Sequence, residues 1–156
     1  MRRVDRQVTD PDQIREIITA CTCCRIGLCD NGRAYIVPLN FGIVEKDGRY
    51  TFYFHSAREG RKIDLLRQTD WVSFEMDTGH AIVEGEKAHS CTAIYHCVMG
   101  GGRVRLLEDP AEKVEGLCAL MVHDTGTPKW TFDPALVDRT AVIRLDVEEL
   151  TCKVRA

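Results

Sequence analysis

The stretch FYFHSAREGRK, residues 52–62, decides how the rest of the sequence is interpreted. Its aromatic first half predicts a β-strand, and the Gly-Arg-Lys that follows predicts the start of a helix. A strand that only packs a core has no need of a histidine, a hydroxyl and two cations at its exit. Helix starts present free N–H groups that bind phosphate. Ser56, Arg61 and Lys62 are therefore a candidate phosphate site; the alternative is that Ser56 caps the helix and both cations are solvated.

Composition predicts one soluble globular domain that covers residues 1–156. The chain is 44% hydrophobic and 29% charged, and its formal net charge of −3 gives no general attraction for nucleic acid. No apolar run approaches the roughly 20 residues of a membrane span. The amino-terminal MRRVDRQVTD has cations but lacks the apolar stretch of a signal peptide. We expect a cytoplasmic protein that contacts neither nucleic acid nor membrane.

Eight cysteines are the most unusual feature of the composition. Without an export signal they are expected to be reduced thiols rather than a disulfide framework. Cys21-Thr22-Cys23-Cys24 contains a Cys-x-x-Cys spacing, but it lies between a helix and a strand and has no second Cys-x-x-Cys. We expect structural thiols and no metal there. Four further cysteines fall singly within strand or helix patterns and are expected to be small buried residues: Cys29, Cys97, Cys118 and Cys152.

The remaining pattern is one of short strands that meet at hairpin turns. Residues 10–11 and 109–110 are Asp-Pro pairs, which predict helix starts. Residues 30–32 and 46–48 predict hairpin turns. Pro38 cannot donate to a sheet, so its strand must be at an edge or bulged. The fold class is therefore mainly β, a small antiparallel β-barrel with flanking helices. Six strands are predicted, with the sequences CRIGLCD, AYIVPLNFGIVE, RYTFYFHS, WVSFEMD, TAIYHCVMGGGRVRLLED and TAVIRLDVEEL.

Two further stretches are candidate ligand contacts, each with a structural alternative. In VPLNFG, residues 37–42, a strand broken by proline exposes backbone groups, and Asn40 offers both a donor and an acceptor. The alternative is an ordinary edge strand with an exposed asparagine. In YHCVMG, residues 95–100, the glycines that follow permit close approach of a ligand. The alternative is a bulge that bends a barrel strand.

In their order along the chain, these motifs resemble the FMN-binding split-barrel flavoproteins related to pyridoxamine 5′-phosphate oxidase. The resemblance is strongest to the branch that includes nitroimidazole-resistance proteins, and YFHSAxxGRK is its most characteristic piece. It extends through DNGRAYIVPLNF, YHCVMGGGRVRLLEDPAEK and VIRLDVEEL. Two features depart from the relatives, which often have serine where this chain has Cys97 and lack the thiol-rich CTCC. The pyridoxamine-specific oxidases carry a longer Arg-rich carboxyl-terminal segment, so pyridoxamine phosphate is not the expected substrate.

The resemblance implies a six-stranded antiparallel FMN-binding split barrel that forms a homodimer, with one FMN in each of two clefts between the subunits. A terminal monophosphate suits the compact cation pair, and no Gly-x-Gly-x-x-Gly dinucleotide motif is present. The implied contacts are four residues along the isoalloxazine ring, three along the cofactor, two on its phosphate, and two from the partner subunit or the neighbouring strand. In that order they are Val37, Pro38, Leu39 and Asn40; His55, Ser56 and Ala57; Arg61 and Lys62; and Tyr95 and Cys97.

The activity that the resemblance implies is that of an FMN-dependent oxidoreductase acting on nitroaromatic or similar electron-poor small molecules. His55 is the candidate proton donor, because histidine exchanges protons near neutral pH. The alternative is that His55 only donates a hydrogen bond at the flavin site. Two other functions stay open: a flavin-binding sensor or carrier without turnover, and a split barrel that binds haem or a deazaflavin.

Overall fold

The computed structural model of the chain describes residues 3–155. Met1, Arg2 and Ala156, which belong to the domain predicted over residues 1–156, lie outside the described residues. Short 3₁₀ helices cover Val4–Arg6 and Ala88–Ser90. The four α-helices are α1 (Pro11–Ala20), α2 (Arg61–Leu66), α3 (Pro110–Thr125) and α4 (Pro134–Arg139). The strands are β1 (Gln7–Val8), β2 (Cys24–Asp30), β3 (Arg33–Leu39), β4 (Gly42–Lys46), β5 (Arg49–Ala57), β6 (Trp71–Val83), β7 (Thr92–Leu107) and β8 (Thr140–Arg155).

Both predicted hairpin turns are confirmed, and they set the register of the strands beside them. Asn31 and Gly32 connect β2 to β3 with φ angles of 50° and 76°. Asp47 and Gly48 connect β4 to β5 with φ angles of 53° and 75°. Positive φ at both central residues is the geometry of a two-residue hairpin turn, and Asn, Asp and Gly adopt it at the lowest cost.

The strands form one antiparallel sheet in the order β3-β2-β6-β7-β8-β5-β4, with β1 added beside β8. The two edge strands, β3 and β4, are consecutive in the chain and are joined only by Asn40 and Phe41. Three Cα–Cα steps span at most about 11 Å. The sheet must therefore curl until its edges nearly meet, without pairing along them. This confirms the mainly β, antiparallel split barrel.

The sheet contains eight strands where six were predicted, for two reasons. The stretch AYIVPLNFGIVE is not one strand, because Phe41 turns into the core, where it is fully buried, and divides the stretch into β3 and β4. The short β1 adds the eighth strand. Pro38 lies on β3, which pairs only with β2, so its predicted edge position is confirmed.

The predicted interruption of the glycine strand is a bulge between β7 and its neighbour β8. The register shifts between Gly101 and Gly102, and the extra residue, Glu148, lies on β8. A Cβ at Gly102 would collide with the carbonyl oxygen of Asp146 on β8, so a side chain there would separate the two strands. A bulged strand bends and twists more strongly, which helps the sheet to curl. This corresponds to the structural alternative considered for the stretch, with the extra residue on the neighbouring strand.

Three of the four helices begin at an Asp-Pro pair. Asp10, Asp109 and Asp133 each accept a hydrogen bond from a backbone N–H of the first turn. The third pair, Asp133-Pro134, carries the same local signal and begins α4, a helix that was not predicted from the sequence. By contrast, α2 follows Gly60, whose φ is 114°, and has no side-chain cap. Ser56 lies on β5 and does not cap α2, which excludes the capping alternative.

The core fills the inside of the curled sheet. Phe41, Phe52 and Phe74 pack in edge-on pairs, with centroid distances of 5.6 Å between Phe41 and Phe52 and 5.2 Å between Phe52 and Phe74. From outside the sheet, α1 contributes the buried Ile17 and Ile18. The aromatic half of the stretch at residues 52–62 is thus core, and only its second half is available to a ligand.

Candidate functional site

The barrel is open along a split between two strand segments that lack a second partner. Among residues 3–155, β3 pairs only with β2. On the other side, β4 pairs with β5 only as far as Tyr53, so residues 54–57 pair with β8 alone. Unpaired strand edges present free N–H and C=O groups that can bind another molecule. The predicted segments 37–40 and 55–57 lie on these two edges.

Helix α2 connects the two sides of the split. The Arg61 guanidinium lies 2.5 Å (Nη2) and 2.8 Å (Nε) from Oδ2 of Asp30, at the end of β2. Its central carbon lies 4.2 Å from the centroid of the Tyr35 ring on β3. The start of α2, which follows β5, is thereby held against the β2–β3 hairpin. Two of the five guanidinium donors of Arg61 are thus engaged by Asp30, so Arg61 is already paired before any anion binds.

Lys62, the next residue, has a different environment. Its side chain is half-buried, and within the described range it forms neither an ion pair nor a hydrogen bond. Burial lowers the pKa of the Lys62 ammonium. A partly desolvated cation without an acceptor is unfavourable, so it has more to gain from an anion than a solvated lysine does. Of the two predicted phosphate ligands, Lys62 is the better placed.

The β3 residues of the predicted site point alternately inward and outward. Val37 and Leu39 pack against the barrel core. Pro38 and Asn40 are exposed. A molecule along this edge would therefore contact the side chains of Pro38 and Asn40, but only the backbone of Val37 and Leu39.

The end of β5, which borders the split, carries two polar side chains that point to opposite faces of the sheet. His55 is exposed and Ser56 is half-buried, while Ala57 is exposed beside them. Neither polar side chain forms a side-chain hydrogen bond with any described residue. Both retain their full hydrogen-bonding capacity for another molecule.

The structure does not bring Tyr95 and Cys97 to the split of their own chain. Both lie on β7, which is separated from β5 by β8 and from β3 by β2 and β6. Tyr95 Oη accepts a hydrogen bond of 3.3 Å from Arg6, and Cys97 Sγ lies 3.7 Å from a Glu75 carboxylate oxygen. Burial, reinforced by Glu75, raises the pKa of Cys97 to about 11. Since β7 borders neither edge, only the expected contribution from a partner subunit remains open.

The two cysteines of the Cys-x-x-Cys spacing are buried, whereas Thr22 is exposed and Cys23 is half-buried. Cys21 and Cys24 are fully buried in the main core, and the Cys21 thiol donates to the Ile17 carbonyl oxygen over 3.2 Å. Burial raises the pKa of Cys21 to about 12 and that of Cys24 further still. In the part of the chain that the structure describes, no group of three or more His, Cys, Asp or Glu residues is arranged to hold a metal. The thiols of Cys21 and Cys24 are therefore unreactive, because burial disfavours the thiolate, which is the reactive form.

Of the four single cysteines expected to be buried, the structure buries one. Cys152 is 1% exposed, whereas Cys97 and Cys118 are half-buried and Cys29 is exposed. Cys29 lies on β2 at an outward position, between the buried Leu28 and the hairpin turn. For Cys29 and Cys97 the expectation failed because period-two alternation decides which face a strand residue occupies, whatever its type. Cys118 lies on helix α3, where the helical period decides its exposure in the same way.

Sequence reasoning missed the role of Asp30 and Tyr35 in holding α2. Asp30 was interpreted only as a turn residue, and Tyr35 only as part of a strand. Nothing in the local pattern connects them with Arg61, which is 31 positions from Asp30.

The largest of the described cavities lies elsewhere. It has a volume of about 1200 Å³, lies between α1, the β4–β5 hairpin and β8, and contains none of the predicted cofactor residues. We place the candidate site at the split because the unpaired edges and the unpartnered Lys62 are there. No helix within residues 3–155 has the length and apolar character needed to cross a membrane.

Comparisons with known proteins agree with this architecture. A candidate 5-nitroimidazole antibiotic resistance protein of Bacteroides thetaiotaomicron superposes with a TM-score of 0.81 at 31% identity, over 95% of this chain and 86% of that chain. A flavocytochrome of Azotobacter vinelandii gives 0.81 at 23% identity, over 100% and 72%. An FAD- and haem-binding protein of Mycobacterium smegmatis gives 0.82 at 14%, over 96% and 73%.

At such low identities the last two similarities concern the fold alone. A search of curated proteins finds no match. The sequence profile described as pyridoxamine 5′-phosphate oxidase matches residues 10–154, which is nearly the whole chain. The chain therefore belongs to the pyridoxamine 5′-phosphate oxidase family, with a split barrel like that of the nitroimidazole-resistance protein.

Proposed function

We propose that the split binds FMN and that the protein is an FMN-dependent oxidoreductase acting on nitroaromatic or similar electron-poor small molecules. The observation that carries the proposal is Lys62, a half-buried cation at the split without an acceptor among the described residues. Family membership supports a flavin, and the likeness to a candidate 5-nitroimidazole resistance protein supports the substrate class.

The residues present fit a phosphate-bearing flavin. The Lys62 ammonium would bind the phosphate, and the Ser56 hydroxyl would donate a hydrogen bond to it. Charge-assisted hydrogen bonds of this kind are about twice as strong as neutral ones. With six residues, α2 is too short for its dipole to be an important term, so the fit rests on side chains. Asn40 and the exposed backbone of β3 would orient the ring system.

FMN is preferred to FAD because the candidate phosphate ligands, Lys62 and Ser56, form one compact cluster. Such a cluster suits a single terminal phosphate, and the chain has no Gly-x-Gly-x-x-Gly dinucleotide motif. Proteins named for FAD are among the structural neighbours, so the identity of the flavin is a direct test of this choice.

A second copy of the chain would complete the site. The split is bordered by open strand edges, and a flavin bound there would be half exposed in a single chain. We propose a homodimer in which Tyr95 and Cys97 of one subunit approach the flavin of the other. Closed two-fold dimers are also the commonest oligomers. We place the protein in the cytoplasm, where its eight free thiols would stay reduced.

FMN, when bound, would supply the electron-transfer chemistry. The chain's own residues bind, orient and exchange protons. Val37 and Leu39 keep the floor of the β3 edge apolar, which excludes water from that side. His55, exposed beside the split, is the candidate proton donor to the substrate. The alternative is that His55 only hydrogen-bonds the cofactor.

Haem is the second candidate ligand, because two structural neighbours are named as a flavocytochrome and as a haem-binding protein. A haem protein would show one intense Soret band at the short-wavelength end of the visible absorption spectrum, whereas a flavoprotein shows two broad bands. A flavin carrier without turnover would show the flavin bands but no substrate reduction.

The test is the absorption spectrum of the protein as isolated, followed by mass analysis of what heat releases. FMN near one per chain, together with anaerobic reduction of a 5-nitroimidazole by the pre-reduced protein, is the expected result. FAD at full occupancy would overturn the choice of flavin. A flavin that stays reduced when the nitro compound is added would overturn the activity and leave the binding role.

A further inference from the structure

A second cavity lies between the start of α3 and α4. Its volume is about 480 Å³, within the range of small-molecule sites. Most of its wall is apolar, formed by Pro110, Ala111, Val114, Phe132, Pro134 and Val137. None of the residues assigned to the flavin lines it. A site here would therefore be distinct from the proposed function.

Lys113 lines this cavity and is the one buried charged side chain of residues 3–155, with 4% of it exposed. Lysine is rarely buried so completely unless it is paired. Within the described part of the chain no carboxylate lies in ion-pair range of its ammonium. Its acceptors are two carbonyl oxygens, those of Val137 at 3.4 Å and Asp138 at 3.5 Å.

These two contacts are long. Hydrogen bonds from nitrogen to oxygen normally span about 2.7–3.2 Å, and an ammonium has three protons to donate. The Asp138 carbonyl also accepts a shorter bond of 3.1 Å from Arg58, so it is shared between two cations. The carbonyls therefore explain why Lys113 points towards α4, but they leave its charge under-satisfied. A buried charge in this condition favours an anion that enters the cavity.

We propose that the α3–α4 cavity binds a small apolar carboxylate, with its carboxyl group on the Lys113 ammonium and its apolar body against Phe132 and Val114. Two acidic residues, Glu108 and Asp138, also line the cavity. Both are exposed at its rim, where water screens them, whereas Lys113 is buried. The buried Lys113 ammonium therefore favours a ligand with a negative charge.

The probes are 4-phenylbutyrate, the neutral 4-phenylbutanol and the cationic 4-phenylbutylamine, which share one apolar body. Each is titrated into the protein as isolated, with its cofactor, and backbone amide shifts are recorded by NMR. We expect 4-phenylbutyrate to bind most tightly and to shift the amides of residues 108–114 and 132–138. Stronger binding of the amine, or no binding of the carboxylate at millimolar concentration, would overturn the proposal.

Two variants locate the interaction. Lys113→Met keeps the apolar stem and removes the charge, so it is expected to stay folded and to lose at least about tenfold in carboxylate affinity. Its affinity for the alcohol should change little. Lys129→Met, an exposed lysine in the loop before α4, is the matched control and should bind 4-phenylbutyrate like the parent. Val114→Trp, which fills the cavity, should abolish binding of both compounds; equal carboxylate affinity in the Lys113 and Lys129 variants would refute the site.

Discussion

The split and the CTCC segment both carry an unusual density of reactive side chains, yet the fold treats them in opposite ways. At the split, His55 and Ser56 have no side-chain partner among the described residues, and Lys62 is half-buried without an acceptor. At the CTCC segment, Cys21 and Cys24 are fully buried and their thiols resist ionisation. In both regions the residue types alone indicated a reactive site.

A side chain is available for binding or reaction only where the fold leaves it accessible and without a partner. A buried thiol that contacts only core atoms gains nothing by reacting, since its charged form is disfavoured. A cation at an open strand edge gains from any anion that arrives. Five perturbations of the protein test this contrast, beginning with the one expected to cost the most stability.

Gly42→Ala should cause the largest loss, about 3 kcal/mol or more of unfolding free energy. Gly42 begins β4 beside the split, and a Cβ there would collide with the backbone of Ala119 and Leu120 on α3. Neither backbone can yield without moving the helix. Gly27→Ala on β2 is the control, because its Cβ would meet only the Ser73 carbonyl oxygen at 3.7 Å. Urea unfolding of both variants measures the difference; equal midpoints would show that α3 yields freely.

Lys62→Met should raise the dissociation constant for FMN by roughly ten- to a hundredfold, the equivalent of about 1.5–3 kcal/mol. Riboflavin, which lacks the phosphate, should bind the parent weakly and lose little more on substitution. Because the lysine has no protein partner, the thermal midpoint should stay level or rise. Flavin fluorescence quenching measures both ligands. Equal losses for FMN and riboflavin would remove Lys62 from the phosphate site.

Cys24→Ser should destabilise the protein by about 1–3 kcal/mol, because it places a hydroxyl in a fully apolar position. Flavin affinity of the folded variant should not change. Cys29→Ser, at an exposed position, is the control and should be neutral. Chemical unfolding and flavin titration are measured together, with metal analysis of the parent and of the Cys21→Ser, Cys24→Ser double variant. Stoichiometric metal that disappears in the double variant would reverse our interpretation of this segment.

Stability should fall as the pH rises above about 9, by up to about 1.4 kcal/mol per pH unit for each thiol involved. Burial raises the folded-state pKa of Cys21 from 9.0 to about 12. The unfolded chain therefore loses that proton first, so the contribution is complete below pH 9 and is lost between 9 and 12. The buried Tyr53, whose pKa is raised, acts in the same direction, whereas Lys62, whose pKa is lowered, acts against it.

Urea unfolding at several pH values measures the slope. Cys21→Ala should reduce it, and an unchanged slope in that variant would show that the thiol does not contribute.

Arg61→Met should have the smallest effect. The side chain is 57% exposed, and its ion pair with Asp30 is a surface pair worth at most about 1 kcal/mol. Loss of the guanidinium frees α2 slightly. Because the guanidinium is already paired with Asp30, FMN affinity should fall less than in Lys62→Met. The same fluorescence titration compares the two variants. A larger loss for Arg61→Met would mean that Asp30 releases the guanidinium when FMN binds.

Much of the fold could be predicted because its signals are local. The Asp-Pro pairs began helices, and Asn-Gly and Asp-Gly turns required positive φ, which few other residues adopt. Pro38 could lie only at an edge. The strand count was wrong for a non-local reason: Phe41 enters the core and divides a stretch whose composition looks continuous.

The sequence alone specified the two hairpin turns, the starts of α1, α2 and α3 and the set of candidate ligand residues, since these depend on neighbours a few positions apart. The family followed from the order of the motifs along the chain. Which candidates are available was decided by the tertiary fold. Asp30 pairs with Arg61, whereas Lys62 has no acceptor among the described residues. Core packing buries Cys21 and Cys24. Likewise, the order of the strands keeps β7 away from the split of its own chain. The physical reason is that availability depends on burial and on partners distant in the chain, which local patterns do not encode.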